Sequence, residues 1–244
     1  MPDPILDVRH VTKRFGGLTA VNDVSFTVRE GEFLGIAGPN GSGKSTLFNV
    51  LTRIPFGPTS GEVHFAGQRI DRMPPHRIAG LGLSRTFQKD VEFPDLTAME
   101  TVALAAVYGR GMPRRIAGDA AAEHLDVVEF APERRNMATT ELSVYERKQL
   151  MIASALVMRP RVLMLDEPAS GLTKPEIAAL DALLVQINGR GVTVLLIEHV
   201  LGLLMSVSQR LLVLNQGALL AEGAPQEVMK NPDVIEAYLG GRAA

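Results

Sequence analysis

Residues 32–48 read EFLGIAGPNGSGKSTLF, and this stretch decides the fold. Its opening is an apolar run suited to a buried strand. Gly38-x-x-x-x-Gly43-Lys44-Ser45 follows, and the residues after it read as a helix. Glycines admit backbone angles that turn successive N–H groups inward, which makes an anion-binding nest. A helix N-terminus adds its partial positive charge at the same point. The expected phosphate-binding set is therefore Gly38, Pro39, Asn40, Gly41, Ser42, Gly43, Lys44, Ser45 and Thr46. Lys44 is placed to reach the β- and γ-phosphates of a nucleotide, and the Ser45 hydroxyl to hold Mg²⁺. A phosphate loop between a strand and a helix implies an α/β core with a mainly parallel sheet.

Working outward, RVLMLDEP (161–168) carries an apolar run, Val162–Leu165, straight into Asp166 and Glu167. Alone, two carboxylates at a strand end are equally a solvated terminus. In a parallel sheet, however, the strand C-termini line the ligand crevice, where the phosphate loop also lies. There Asp166 suits Mg²⁺, usually through water, and Glu167 suits polarising an attacking water. VTVLLIEHV (192–200) repeats the pattern and ends in Glu198-His199. A histidine at a strand end is more often structural. Here it follows the acidic strand, so it can bond a γ-phosphate or orient the water with Glu167. Gln88, in LSRTFQKDVEFPDLT (83–97), reads on its own as a loop glutamine.

The 244 residues suffice for one large α/β domain. Hydrophobic residues at 46% and charged residues at 21% support a substantial core. A net charge of −2 gives no electrostatic footprint for nucleic acid. The absence of cysteine rules out disulfides and thiolate metal sites and is compatible with a cytosolic setting. MPDPILDVRH lacks the basic and apolar regions of a signal peptide. VTVLLIEHVLGLLMSV is too short for a membrane span and is interrupted by Glu198 and His199.

Elsewhere, ILDVRHV, AVNDVSFTV and EVHFAG predict strands in the opening third, and residues 44–53 predict a helix ending before Pro55. Residues 96–131 read as mainly helical, with a break at GRGMP. Helix then alternates with strand: helices at 144–158 and 175–188, strands at 162–165, 193–197 and 211–214. Such alternation predicts a parallel sheet buried on both faces, with an antiparallel β part at the N-terminal end and a helical insert in the middle.

GPNGSGKST, SRTFQ, LMLDEP and LLIEH, in this order and spacing, resemble the ATP-binding cassette subunit of ABC transporters along essentially the whole chain. VTKRFGGLTAVNDVSF and, more strongly, LLVLNQGALLAEGAPQEVMKNPDVIEAYLG resemble the branched-chain amino-acid importer group. The resemblance implies a P-loop NTPase core, an N-terminal antiparallel β subdomain and a helical signature subdomain at about 89–158 within a single domain, 1–244. It implies ATP and Mg²⁺ as cofactors, Phe15 against adenine, Gln88 on Mg²⁺ and as sensor of the membrane partner, Glu167 as catalytic base and His199 as switch histidine. A core position is the alternative for Phe15. It also implies face-to-face pairing with a second cassette, whose ATP meets Ser143 of the signature. Transmembrane permease subunits would dock near the glutamine loop, with Phe87, Val91 and Phe93 as docking candidates and internal packing as their alternative. A periplasmic or extracellular solute-binding protein would take part indirectly, and the setting is the cytoplasmic face of the membrane.

The chain departs from the family pattern at Leu142-Ser143-Val144-Tyr145-Glu146, where both signature glycines are gone. Thr173 stands where Asp or Asn is common, and Val200 where Asp is. The expected consequence falls on the partner's nucleotide, not on the ATP of this chain's own loop. Two functions compete: an energy-coupling ATPase of an uptake transporter, and a regulatory subunit that binds ATP with weak hydrolysis. A soluble cassette acting in translation or DNA repair is a third. Those commonly carry twin cassettes or a long coiled-coil insert, which this chain lacks.

Overall fold

A computed structural model of the protein describes residues 3–87 and 93–240. β1 (Leu6–Phe15) and β2 (Leu18–Val28) form an antiparallel hairpin closed by Gly16-Gly17. β3 (Phe33–Ala37) leads through the phosphate loop into α1 (Lys44–Thr52), which ends as Arg53 turns left-handed at φ 56°. β4 (Ser60–Phe65) and β5 (Gln68–Arg69) add a second hairpin. α2 (Pro75–Gly80) then precedes the short strand β6 (Leu83–Arg85).

The predicted helical stretch resolves into α3 (Ala98–Arg110) and α4 (Arg114–Val127). They are separated where Gly111 adopts φ 71° ahead of Pro113. Thr97 caps α3 through a reciprocal bond with Glu100, the helix start that an S/T-x-x-E pattern specifies. α5 (Val144–Leu156) packs against both helices and stops two residues before the expected end.

β7 (Val162–Asp166), α6 (Lys174–Gly189), β8 (Thr193–Ile197), α7 (Leu201–Val207) and β9 (Arg210–Asn215) continue the alternation. β10 (Ala218–Gly223), absent from the sequence reading, pairs antiparallel with β9 across Gln216-Gly217. Both turn residues have positive φ, the twist a two-residue hairpin needs. α8 (Pro225–Val228) and α9 (Pro232–Gly240) complete the chain.

Two sheets result: β2-β1-β4-β5, and a six-stranded sheet ordered β10-β9-β3-β8-β7-β6 whose last five strands are parallel. The inner strands are apolar apart from polar residues at their ends, because they are covered on both faces. Leu163, Leu165, Val194, Leu196, Leu211 and Val213 pack toward the long helices. Met164, Leu195, Ile197, Leu212 and Leu214, alternating with them, face α1 and the antiparallel sheet. Leu47, Phe48, Val50 and Leu51 of α1 are fully buried between the two sheets. The helix behind the phosphate loop is therefore clamped from both sides.

Candidate nucleotide site

The phosphate loop is held open by its glycines. Gly38 and Gly43 adopt φ 145° and 101°, and a Cβ added to either would sit 2.2 Å from the Leu214 carbonyl oxygen or 2.4 Å from that of Ala20. Any side chain at these positions collides with backbone, so the turn requires glycine. Lys44 is buried and donates from Nζ to the carbonyls of Gly38 (2.7 Å) and Pro39 (3.0 Å). Burial pushes the Lys44 ammonium below its ordinary range, opposed by the nearby carboxylates of Glu167 and Asp166.

Adjacent parallel strands β3, β8 and β7 bring the predicted residues to one edge. The Ser45 hydroxyl at the start of α1 lies 3.5 Å from Asp166 Oδ1 at the end of β7. Glu167 follows with φ 52°, a left-handed backbone that is uncommon outside glycine and turns the chain sharply at the strand end. Its Oε1 is 3.3 Å from His199 Nδ1, and the His199 ring is half-exposed. The contact joins the ends of β7 and β8, which pair in register up to Asp166 and Ile197.

Sequence reasoning missed three residues here. Arg85, at the end of β6, donates to Asp166 Oδ2 at 2.7 Å and to Asn49 Oδ1 at 2.6 Å. Both members of the ion pair are buried, and the guanidinium lies beside the rings of Phe48 and Phe87. Burial lowers the Arg85 pKa, while the bond to Asp166 opposes it. Asn49, one turn into α1 from Ser45, is the other acceptor. Glu198, fully buried, accepts from the backbone N–H of Ala169 at 2.6 Å and of His199 at 3.2 Å. It ties the turn after Glu167 to the loop carrying His199. Burial raises its pKa, and those donors act against the rise. A charged residue at the end of a strand was the only local signal for Arg85. Its partner lies 81 residues away.

Phe15 is 43% exposed at the tip of the β1–β2 hairpin, stacked edge-on against Phe56 at 4.9 Å, with Lys13 Nζ near both rings. It is a surface residue, open for contact with a ligand. Gln88 and Val91 lie outside the described residues. Phe87 and Phe93 are 37% and 41% exposed and line an apolar groove of about 390 Å³ with Ile78, Leu83, Leu104 and Tyr108. Arg85 forms part of the same wall.

At the degenerate signature, Ser143 is the N-cap of α5. Its hydroxyl accepts from the Glu146 N–H, and the Glu146 carboxylate accepts from the Ser143 N–H at 2.7 Å. Arg134 grips Glu146 with two bonds of 2.6 and 2.9 Å and holds the carboxyl at about 2, far below its usual range. Tyr145 is partly buried against the helical core, and Val144 is 36% exposed, next to Gly171. Thr173 opens α6, with its N–H and hydroxyl both bonded to Glu176 at 2.7 Å.

The family model described as ABC transporter matches residues 21–170, and that described as branched-chain amino acid ATP-binding cassette transporter matches residues 218–244. The chain is 41% identical to the high-affinity branched-chain amino acid transport ATP-binding protein BraF of Pseudomonas aeruginosa, over 98% of this chain and 99% of that protein. It is 38% identical to the corresponding protein LivG of Escherichia coli, with the same coverage. Among solved structures, the ADP conformation of the ATP-binding cassette MJ1267 superposes with a TM-score of 0.88 at 28% identity, covering 98% of this chain and 100% of that one. A dimeric, post-hydrolysis state of the cassette MJ0796 bound to ADP and Pi superposes with a TM-score of 0.81 at 27% identity, covering 90% and 98%.

Proposed function

The chain belongs to the ATP-binding cassette family of ABC transporters, and from that premise we propose that its ATP binding and hydrolysis energise uptake of branched-chain or related amino acids. The observation that carries hydrolysis is the convergence of Lys44, Ser45, Asp166, Glu167 and His199 at the ends of three adjacent parallel strands. In this reading the loop N–H groups from Gly41 to Thr46 bind the phosphates, and Lys44 turns from its carbonyl partners to the terminal ones. Glu167 takes the proton of the attacking water. His199 holds Glu167 and faces the γ-phosphate.

Mg²⁺ fits the donor set. Ser45 and Asp166 supply hard oxygens, and a site completed by phosphate oxygens and water needs no larger cluster. When bound, the ion neutralises charge on the phosphates. Arg85 then keeps Oδ2 of Asp166 engaged and leaves Oδ1 turned toward Ser45.

The partners in this reading are a second cassette and transmembrane permease subunits at the cytoplasmic face of the membrane. A solute-binding protein takes part indirectly. Residues 1–244 act as one cassette domain with a helical insert at about 89–158, and Gln88 senses both Mg²⁺ and the permease. The apolar groove beside Phe87 and Phe93 suits a short permease helix, since an exposed apolar groove marks an interaction site. Among the described residues no helix is long and apolar enough to cross a membrane.

The test is single-turnover hydrolysis and leucine uptake by reconstituted complexes carrying Glu167→Gln in this chain alone. Both rates should fall by about 100-fold or more. Unchanged turnover and transport would instead assign this chain the regulatory role.

A further inference from the structure

The C-terminal helix α9 reaches back to the phosphate loop. Val234 and Tyr238, four residues apart, share one face of α9. Val234 is fully buried and Tyr238 packs against the same helical core. The Tyr238 hydroxyl accepts a hydrogen bond from the backbone N–H of Gly38 at 2.8 Å, across 200 residues of sequence. Gly38 is also the residue whose carbonyl receives Lys44 Nζ at 2.7 Å. One glycine therefore links the phenol on one side to the phosphate-binding lysine on the other. It has little room to shift, because even a Cβ built on it would sit 2.2 Å from the Leu214 carbonyl oxygen of β9. On the outer side, Pro39 and Asn40 share a cleft with Asp233, Glu236 and Ala237 of α9.

We propose that Tyr238 is a positioning residue for nucleotide binding: its hydroxyl fixes the peptide of Gly38, and through it the start of the phosphate loop and Lys44. Burial raises the phenol pKa, so the group is a neutral acceptor across physiological pH. Without the hydroxyl, the Gly38 N–H loses its acceptor. The loop can then sample arrangements in which Lys44 and the nest no longer face one anion together. The segment matching the branched-chain cassette model, 218–244, thereby contributes directly to the nucleotide site.

The experiment titrates full-length protein and Tyr238→Phe with ATP and with ADP by calorimetry, beside thermal unfolding without nucleotide. Tyr238→Phe should weaken both nucleotides about five-fold, the effect of one lost hydrogen bond. An unchanged dissociation constant, with or without a lower melting temperature, reduces Tyr238 to a structural role and overturns the proposal. A second measurement does not depend on the variant folding. In the unmodified protein without nucleotide, the Gly38 amide should exchange with solvent deuterium at least ten-fold more slowly than that of Gly41. Equal exchange at the two positions also overturns it.

Discussion

Arg85 and Asp166 form a buried ion pair, 2.7 Å between Nη2 and Oδ2, that joins the end of β6 to the end of β7. Arg85 also lines the apolar groove, while Asp166 lies beside Ser45. Removing one partner from such a pair leaves an uncompensated buried charge, which costs about 3–5 kcal/mol. Arg85→Met should lower unfolding free energy by that amount. Adding Asp166→Asn should restore part of it. Denaturant unfolding of the two singles and the double reads the coupling, and simple additivity would contradict the pairing.

Glu146 should make the fold sensitive to acid within a defined window. Its pKa is held at about 2 in the folded chain, first by the Arg134 hydrogen bonds, against an ordinary 4.5. The folded value is depressed, so the stabilisation is complete above pH 4.5 and disappears as pH falls from 4.5 toward 2. With solvent screening at this surface pair, about 1 kcal/mol is at stake. Glu146→Gln keeps a side-chain acceptor for the Ser143 N–H and should lose less stability than the parent between pH 6 and pH 3, measured by urea unfolding.

His199→Ala should slow ATP turnover by about 100-fold while leaving ATP affinity within a factor of two. The 3.3 Å contact to Glu167 makes the two side chains one unit. The double variant with Glu167→Gln should therefore be scarcely slower than the slower single variant. Multiplying effects in single-turnover assays would separate their roles.

Val144 and Tyr145 should differ in kind. Tyr145→Gly removes a ring packed on the helical core and should cost about 2–4 kcal/mol of stability. Val144→Gly clears the exposed surface beside Ser143 at a cost below about 1 kcal/mol. The latter should change ATPase rate through the opposite site of an assembled pair. Nucleotide affinity of the isolated chain should stay the same. A large loss of that affinity would move the signature assignment elsewhere.

Most of the site was legible because its chemistry is local. A nest needs glycine at set positions, so Gly38 to Thr46 announce themselves in nine consecutive residues. Asp166, Glu167 and His199 stand out because charge at the end of a doubly covered strand is conspicuous against an apolar run. β10 went unread because its Ala218–Gly223 run is only partly buried and its signal was a two-residue turn. Arg85 and Glu198 carried the same strand-end charge, but nothing local said what they bond, and Tyr238 carried no mark at all. Their partners lie 81, 29 and 200 residues away.

The amino-acid sequence alone determined the alternation of buried strands with helices, the phosphate nest, and the acidic and histidine residues at the strand ends. Each follows from steric and burial rules acting over a few residues. Tertiary structure decided the rest: Arg85 on Asp166, the C-terminal helix against the phosphate loop, and Tyr145 partly buried on the helical core beside the exposed Val144. The physical reason is that strand order β3-β8-β7-β6 and the packing of α5 and α9 set which distant side chains meet, and that choice has no period in the chain.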